Sequence, residues 1–434
     1  MYQISNEKSS VLKKILRIED NNIYFNEDCL EIRKEDNKEY NIFHGYLTYN
    51  PEYCVHCGCV NNGIDDIIKW AFDKNCLVKI PKVSNHNTIL LLDKQRFHCK
   101  HCKRTFSATT TLVDFHKQIS NNTKLSVILD LMEKGSEKDI AKRNNISTNS
   151  VNRILDSICD DKLIKNNGTL PESFGIDELT ATKDTKGKYA FIIVDHNKKN
   201  IFDLLDSRKN LDIEKYFKRY PRYEREKVKF ITLDLYAPYY KLMHYLFPNA
   251  ILIPDRFHII LQPRNAMDKT RIKLISKSNP DYRKYKKYWK LLLKNEDELD
   301  DTKKSYSKNF KSKVTQKYIV TYLINKNPII NSTYNYYQGI LKAIKNGDKK
   351  KFINIISNFS KNNVSQYAIK TNKTFLKMKK YLLNSFDHEL SNGIVEGINN
   401  LIKQIKHNAC GYRKFKHLKF RVMLIKGLYN PIKA

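Results

Sequence analysis

Phe230-Ile-Thr-Leu-Asp-Leu-Tyr-Ala-Pro-Tyr239, followed by Ala250-Ile-Leu-Ile-Pro-Asp-Arg-Phe-His258, decides how this chain folds. Each half is a short run of β-branched and apolar residues ending on an aspartate, Asp234 in the first and Asp255 in the second, with a helical pattern behind it. Short apolar runs alternating with helices predict neighbouring parallel strands buried under helices. Carboxylates at the carboxyl ends of such strands lie on the rim where open α/β sheets place their chemistry.

Upstream, Phe174-Gly-Ile-Asp-Glu-Leu179 reads as a strand carrying Asp177. Tyr189–Val194 and Ile201–Leu205 read as a hairpin across a polar turn, and Leu211–Tyr220 as a helix. The order β-β-β-α-β-α-β-α predicts a ribonuclease-H-like mixed sheet, with three antiparallel strands, then two parallel ones, and helices on both faces. The first and fourth strands are neighbours in that layout, which sets Asp177 beside Asp234.

Residues 268–384 are Lys-rich with helical spacing and no strand pairs, and read as an all-α insertion into the sheet domain. Ser391–His407 is a strong helical pattern. Ile394, Ile398, Leu401 and Ile405 form its apolar stripe, and Glu396, Asn399, Asn400, Lys403 and His407 share another face. Two-metal phosphoryl chemistry needs three or four carboxylates on rigid elements, holding two divalent ions roughly 3.5–4 Å apart. Asp177, Asp234 and Glu396 are the candidates. Taken singly, each is equally an ordinary helix cap or surface acid.

Toward the N-terminus, Cys54-Val-His-Cys57 and Cys99-Lys-His-Cys102 form two hooks. Four thiolates suit a closed tetrahedral Zn²⁺ site of structural type, and the competing reading is buried free thiols. Cys59, His56, His98 and His101 lie near enough in sequence to compete as ligands. Residues 120–162 read as a helix-turn-helix, with apolar spacing at Leu125, Ile128, Leu129 and Met132, an end at Gly135, and a capping box at Ser136. Thr148, Asn149, Asn152 and Arg153 on its second helix are of types that reach bases and phosphates in a major groove. Such hairpins also serve as plain packing units.

The 434 residues carry 79 Lys+Arg against 46 Asp+Glu, a formal charge of +33 spread along the chain. That excess points to a polyanionic partner, DNA first, against the bland alternative of a solvated lysine surface. No run of roughly 18 apolar residues predicts a membrane span. Nine cysteines, four of them in the two hooks, predict a reducing cytoplasm and no disulfide scaffold. The expected organisation is an N-terminal segment (1–45), a zinc-ribbon-like module (46–112), a helix-turn-helix (120–162), a polar linker (160–171), a sheet domain (172–267 plus 385–426) and the all-α insertion (268–384).

The double hook, Gly175-Ile-Asp-Glu178, Asp255-Arg-Phe-His258, and Asn392-Gly-Ile-Val-Glu-Gly-Ile-Asn-Asn400 with Lys403-Gln-Ile-Lys406 and Gly411-Tyr412 together resemble the ISL-three family of bacterial insertion-sequence transposases along essentially the whole chain. The resemblance implies an Asp-Asp-Glu transposase with Asp177, Asp234 and Glu396 as its triad. It implies two Mg²⁺ ions, replaceable by Mn²⁺, besides the structural Zn²⁺. The Asp255/His258 pair is similar to one in Mutator-like transposases and is expected to line the same site. Asn400 and Lys403 are expected to touch DNA. The implied partners are terminal inverted repeats, target DNA and a second copy of the chain or more, in a nucleoid-associated protein of the bacterial cytoplasm. A zinc-containing transcriptional regulator without catalysis and another ribonuclease-H-like nuclease are the alternatives.

Overall fold

The computed structural model describes residues 6–35, 38–62, 66–159 and 168–429. They fall into two compact units, one of Met1–Lys165, Thr182–Asp184 and Ile402–Ala434, the other of Asn166–Ala181 and Thr185–Leu401. Most of the expected linker, at 160–167, lies outside the described residues.

In the first unit α1 (Asn6–Leu16) precedes a sheet of β1 (Ile23–Glu35), β2 (Lys38–Leu47), β3 (Ile67–Val83), β4 (His86–Cys99) and β5 (Thr105–Ser107). The order is β1-β2-β4-β3, with β5 also on β4. Ser84 and Asn85, at φ 51° and 64°, close the β3–β4 hairpin in the left-handed conformation a two-residue loop demands. β2 runs parallel to β4, with Phe43 opposite Leu90, and both pack into one core with Phe25, Val78 and Phe97. The boundary expected between 45 and 46 therefore falls inside β2, and β1 belongs to the same sheet as the hooks. The link of β1 and β2 to the hooks was invisible locally because β2 finds β4 across some forty residues of intervening sequence.

Three helices follow, α2 (Asn121–Leu131), α3 (Glu137–Arg143) and α4 (Thr148–Ile158). Ser120, Ser136 and Ser147 cap them, accepting from the amides of Thr123, Asp139 and Ser150. Ile140, Val151, Ile154 and Leu155 are buried as expected. α2 departs from the reading. It buries Thr123, Val127 and Leu131, leaves Leu125 and Leu129 exposed, and ends at Met132 rather than Gly135. The Thr123 hydroxyl reaches its inward position by donating to the Lys79 carbonyl, so a polar residue takes a core place that periodicity assigns to leucine.

The second unit holds β6 (Ser173–Thr180), β7 (Tyr189–Asp195), β8 (Asn200–Leu205), α5 (Asn210–Lys218), α6 (Arg222–Glu226), β9 (Phe230–Leu233), α7 (Ala237–Leu246), β10 (Ile251–Pro254) and α8 (Arg256–Leu274). The sheet order is β10-β9-β6-β7-β8. β6, β7 and β8 are antiparallel neighbours, while β9 is parallel to both β6 and β10. Six of the seven residues of β7 are buried, as a central strand covered on both faces requires. Phe174, Phe217 and Phe247 meet beneath the sheet with ring centroids 5.8, 5.4 and 4.9 Å apart.

Residues 268–384 are not all helical. α9 (Tyr282–Leu292) is followed by a small antiparallel hairpin, β11 (Ser305–Ser307) and β12 (Ser312–Val314), before α10 (Gln316–Asn325), α11 (Pro328–Lys345), α12 (Lys349–Ser357), α13 (Gln366–Lys377) and α14 (Lys379–Asp387). Three-residue polar strands leave no alternation to read. Tyr336, Ile340, Phe352 and Phe375 share one core with Ile231 and Leu252 of the sheet, so this region helps build the sheet domain. The expected end at 384 falls inside α14, where Asn384 donates to the Leu252 carbonyl at 2.8 Å.

α15 (Gly393–Asn408) and α16 (Phe415–Ile425) complete the chain. The buried Arg421 of α16 donates to the carbonyls of Leu131, Glu133 and Gly135 beyond and at the end of α2. His417 and Lys414 hold Asp156 of α4. Residues 402–434 thus belong with the first unit, whereas the sequence placed 385–426 with the sheet. An arginine inside an apolar helix reads as surface. Here unpaired helix-end carbonyls accept its guanidinium, so its burial leaves no donor stranded.

Candidate active site and thiol cluster

Asp177, Asp234 and Asp255 converge because of strand register. Gly175 pairs with Thr232 in the parallel β6–β9 ladder, two residues before each of Asp177 and Asp234. Pro254 pairs with Leu233, and Asp255 follows it as the N-cap residue of α8. One turn into α8, His258 Nδ1 lies 2.8 Å from Asp234 Oδ1 and 3.2 Å from Asp255 Oδ2. The Asp234 contact is the shorter of the two, and Asp234 Oδ1 is buried with no donor besides His258. Two carboxylates hold the imidazolium, pushing His258 up to about 10. Burial first, and the Asp234 charge second, push Asp177 up to about 6. The group is therefore short of positive charge even with His258 protonated. A divalent cation suits it, since Asp234 Oδ1 keeps free lone pairs and the Asp177–Asp234 repulsion is what such an ion relieves. Ligand atoms of Asp234, Asp255 and His258 all lie within 4.8 Å of one another.

α15 is docked on this rim by its first two turns. Val395 is fully buried against Gly175, where an added Cβ would stand 2.5 Å from Val395 Cγ2 and 2.7 Å from Thr232 Oγ1. The Thr232 hydroxyl donates to Asn392 Oδ1 at 2.5 Å, and His196 Nε2 sits 2.9 Å from the same hydroxyl. Asn399 Nδ2 donates to Asp177 Oδ2 at 2.5 Å. Glu396 lies between these anchors in sequence and is exposed; its carboxylate is not in the cluster of ligand atoms. The structure thus brings Asp177, Asp234, Asp255 and His258 together and sets Glu396 on the helix docked against them. Asn400 and Lys403 are exposed further along α15. On α4, Asn149 and Arg153 are exposed while Thr148 and Asn152 are half-buried.

Sequence reading missed the Thr232–Asn392–His196 chain and the Asn399 bond. The available signal was the spacing of Asn392 and Asn399, seven residues apart and so on one helix face. Glu178, beside Asp177, points to the other face of β6 and is occupied by Arg208 and Tyr239. Gly175→Ala should displace α15 while leaving the fold intact. Overpacking costs about 1–3 kcal/mol, and a shift of about 1 Å at a reacting centre costs about 10²-fold in rate. Thermal melting beside an activity assay checks this: a small loss of stability with a large loss of rate is the expected pair.

Cys54, Cys57, Cys99 and Cys102 bring their sulfurs within 4.8 Å of one another. The pairs Cys54–Cys102 and Cys57–Cys99 stand 3.7 and 3.8 Å apart. The two hooks have the same backbone. Gly58 N donates to Cys54 O and Lys103 N to Cys99 O, both at 2.9 Å, with Gly58 and Lys103 at φ 71° and 61°. Amides turned onto sulfur, that of Cys102 foremost, bring Cys99 down to about 7. Four converging thiols with such amides fit a Zn²⁺ ion. Three of the four rival ligands are otherwise engaged: Cys59 faces the Val60 carbonyl, His56 the Thr105 carbonyl, and His98 packs on Trp70; His101 is exposed and outside the cluster of ligand atoms.

Residues 174–422, more than half of the chain, match the model of the transposase family of ISL3 type. The transposase for insertion sequence element IS1001 of Bordetella parapertussis is 26% identical over 250 residues, covering 56% of this chain and 58% of that protein. A protein of Lactococcus lactis subsp. lactis named ATP-dependent protease is 32% identical over 124 residues, covering 28% of this chain and 39% of that protein. The chain thus spans less than two thirds of either relative. No Gly-x-x-x-x-Gly-Lys-Ser/Thr phosphate loop occurs in this sequence. With the strand-end aspartates, the docked α15 and this match over residues 174–422, the chain belongs to the ISL3 family of transposases.

Proposed function

We propose that this chain is an Asp-Asp-Glu DNA transposase of a bacterial insertion sequence, working in the cytoplasm at the nucleoid. It binds the terminal inverted repeats, hydrolyses a phosphodiester at each end, and joins the freed 3′-hydroxyl to target DNA. The carrying observation is the parallel register that sets Asp177 beside Asp234 under a helix bearing Glu396. On this reading the sheet is ribonuclease-H-like, and Asp177, Asp234 and Glu396 hold two Mg²⁺ ions, or Mn²⁺ in their place. Bound there, the ions would neutralise phosphate charge and lower the pKa of a water. Asp255 fixes the His258 imidazolium, whose charge offers the scissile phosphate a second cationic contact. Two ends must be cut and joined together, so the working form is a dimer or larger.

DNA recognition is assigned to the first unit, with the four-cysteine site as structural zinc and α3–α4 as a helix-turn-helix. A cleft of about 580 Å³ supports this. It is lined by Lys38, Lys79 and Lys82 of the sheet, Lys138 and Lys142 of α3, and the N-terminus of α4 at Ser147 and Thr148. Lys79 is committed to the Asn145 carbonyl at 2.8 Å. Lys82, Lys138 and Lys142 are exposed and fit backbone phosphates beside Asn149 and Arg153. Each neutralised phosphate adds about −0.9 to the slope of log K against log salt. Lys82→Ala with Lys142→Ala should therefore flatten that slope by about 2 and weaken repeat and random duplex alike. An unchanged slope would place the phosphate contacts elsewhere.

The function itself is tested with DNA flanking the gene. Duplexes carrying its imperfect inverted repeats, incubated with the full chain and Mg²⁺, should be nicked at the repeat boundary to leave a 3′-hydroxyl that joins a second duplex. Specific binding with no cleavage under any divalent ion would leave a regulator instead.

A further inference from the structure

Asn399 of α15 hydrogen-bonds Asp177 directly, and nothing in the assigned triad accounts for it. Its side chain is 7% exposed. A carboxylate accepts and does not donate, so the amide nitrogen faces Asp177 and the amide oxygen faces away. That oxygen, Oδ1, is buried and has no hydrogen-bond donor. Asp234 Oδ1, at the end of the neighbouring strand, faces His258 Nδ1 at 2.8 Å and has no other donor. Buried acceptors are nearly always satisfied, and the Asn399 oxygen, on an amide already bound to the Asp177 carboxylate, keeps lone pairs with no proton directed at them. A hard divalent cation is the partner such oxygens lack, and amide carbonyls are ordinary ligands for one. A solitary structural role explains the nitrogen but leaves the oxygen stranded.

Resting on the two-metal reading above, we propose that Asn399 is a further oxygen ligand of the divalent-cation site. Its amide nitrogen steadies Asp177 and its amide oxygen binds the ion. α15 then supplies the site with two side chains one turn apart, Glu396 and Asn399, in place of one. A neutral ligand adds coordination without adding to the Asp177–Asp234 repulsion.

The test uses the full-length, zinc-loaded protein without DNA and reads Mn²⁺ binding by calorimetry and by loss of the free-ion EPR signal. Asp234→Ala should abolish binding and Asn399→Ala should weaken it about 10- to 100-fold, with the melting temperature recorded for each. Asn399→Cys guards against a folding defect in the alanine variant. A thiolate at a ligand position exchanges a hard for a soft preference, so Cd²⁺ should bind this variant at least about tenfold tighter than wild type while Mn²⁺ binds more weakly. A sulfur-to-metal absorption band beyond that of the zinc-loaded wild type should appear. The same change at Gln404, exposed further along α15, should do neither. Mn²⁺ binding unchanged in Asn399→Ala but lost in Asp234→Ala overturns the Asn399 assignment and leaves the two-metal site standing. So does an Asn399→Cys protein with no Cd²⁺ gain. Mn²⁺ binding indifferent to Asp177→Ala and Asp234→Ala would overturn the site itself.

Discussion

Asp177→Ala, Asp234→Ala and Glu396→Gln will each slow strand cleavage by about 10³–10⁴, the equivalent of about 4–6 kcal/mol of transition-state contact. DNA affinity will hold or rise, because removing an acid beside phosphate removes repulsion. The two aspartates carry this expectation most firmly: they share one rim by register, and Asp177 already feels the Asp234 charge. Glu396 rests on α15 being held by Val395 and Asn399 on either side of it. Glu389 is the control, an exposed acid just before α15. Single-turnover cleavage of a labelled inverted-repeat end measures all four variants. A dead Glu389→Gln beside an active Glu396→Gln would move the third carboxylate while leaving the aspartates in place. Ca²⁺ should support binding with little turnover.

Removing zinc should have the second large effect. The apparent stabilisation of small zinc modules is about 10–16 kcal/mol, against a total stability of about 5–15 kcal/mol for a domain. Cys54 and Cys99 are buried within the core that also holds Phe97 and Leu92 of β4. The site therefore closes the end of the strand that joins β2, β3 and β5. Cys99→Ser, or a strong chelator, should melt the first unit and abolish repeat binding. Elemental analysis of protein purified without chelator should find one zinc per chain from this cluster. Finding none would remove the metal from the account.

What was legible followed from local grammar. A β-branched run that stops at an aspartate before a helical pattern can be read within ten residues, and this picked out Asp234 and Asp255, while Asp177 was read as carried by the strand Phe174–Leu179. The hooks were legible because Cys-x-x-Cys has few other uses. What failed needed tertiary knowledge. β2 pairs with β4 far along the chain, so the first boundary was misplaced. Thr123 and Arg421 are polar residues whose partners are backbone carbonyls elsewhere, so one helix face and one helix assignment were misread. Asn399 and Asn392 looked like an ordinary polar helix face until their contacts with Asp177 and Thr232 were seen.

A divalent ion held by these carboxylates is expected to touch the phosphate being cut. Phosphorothioate substitution at the scissile position tests it most directly, because sulfur binds Mg²⁺ poorly and softer ions well. One diastereomer should cut slowly in Mg²⁺ and recover in Mn²⁺, with the unmodified end cut well in both and neither cut in EDTA. Cleavage that persists in EDTA, or a sulfur effect that no change of metal relieves, would contradict it.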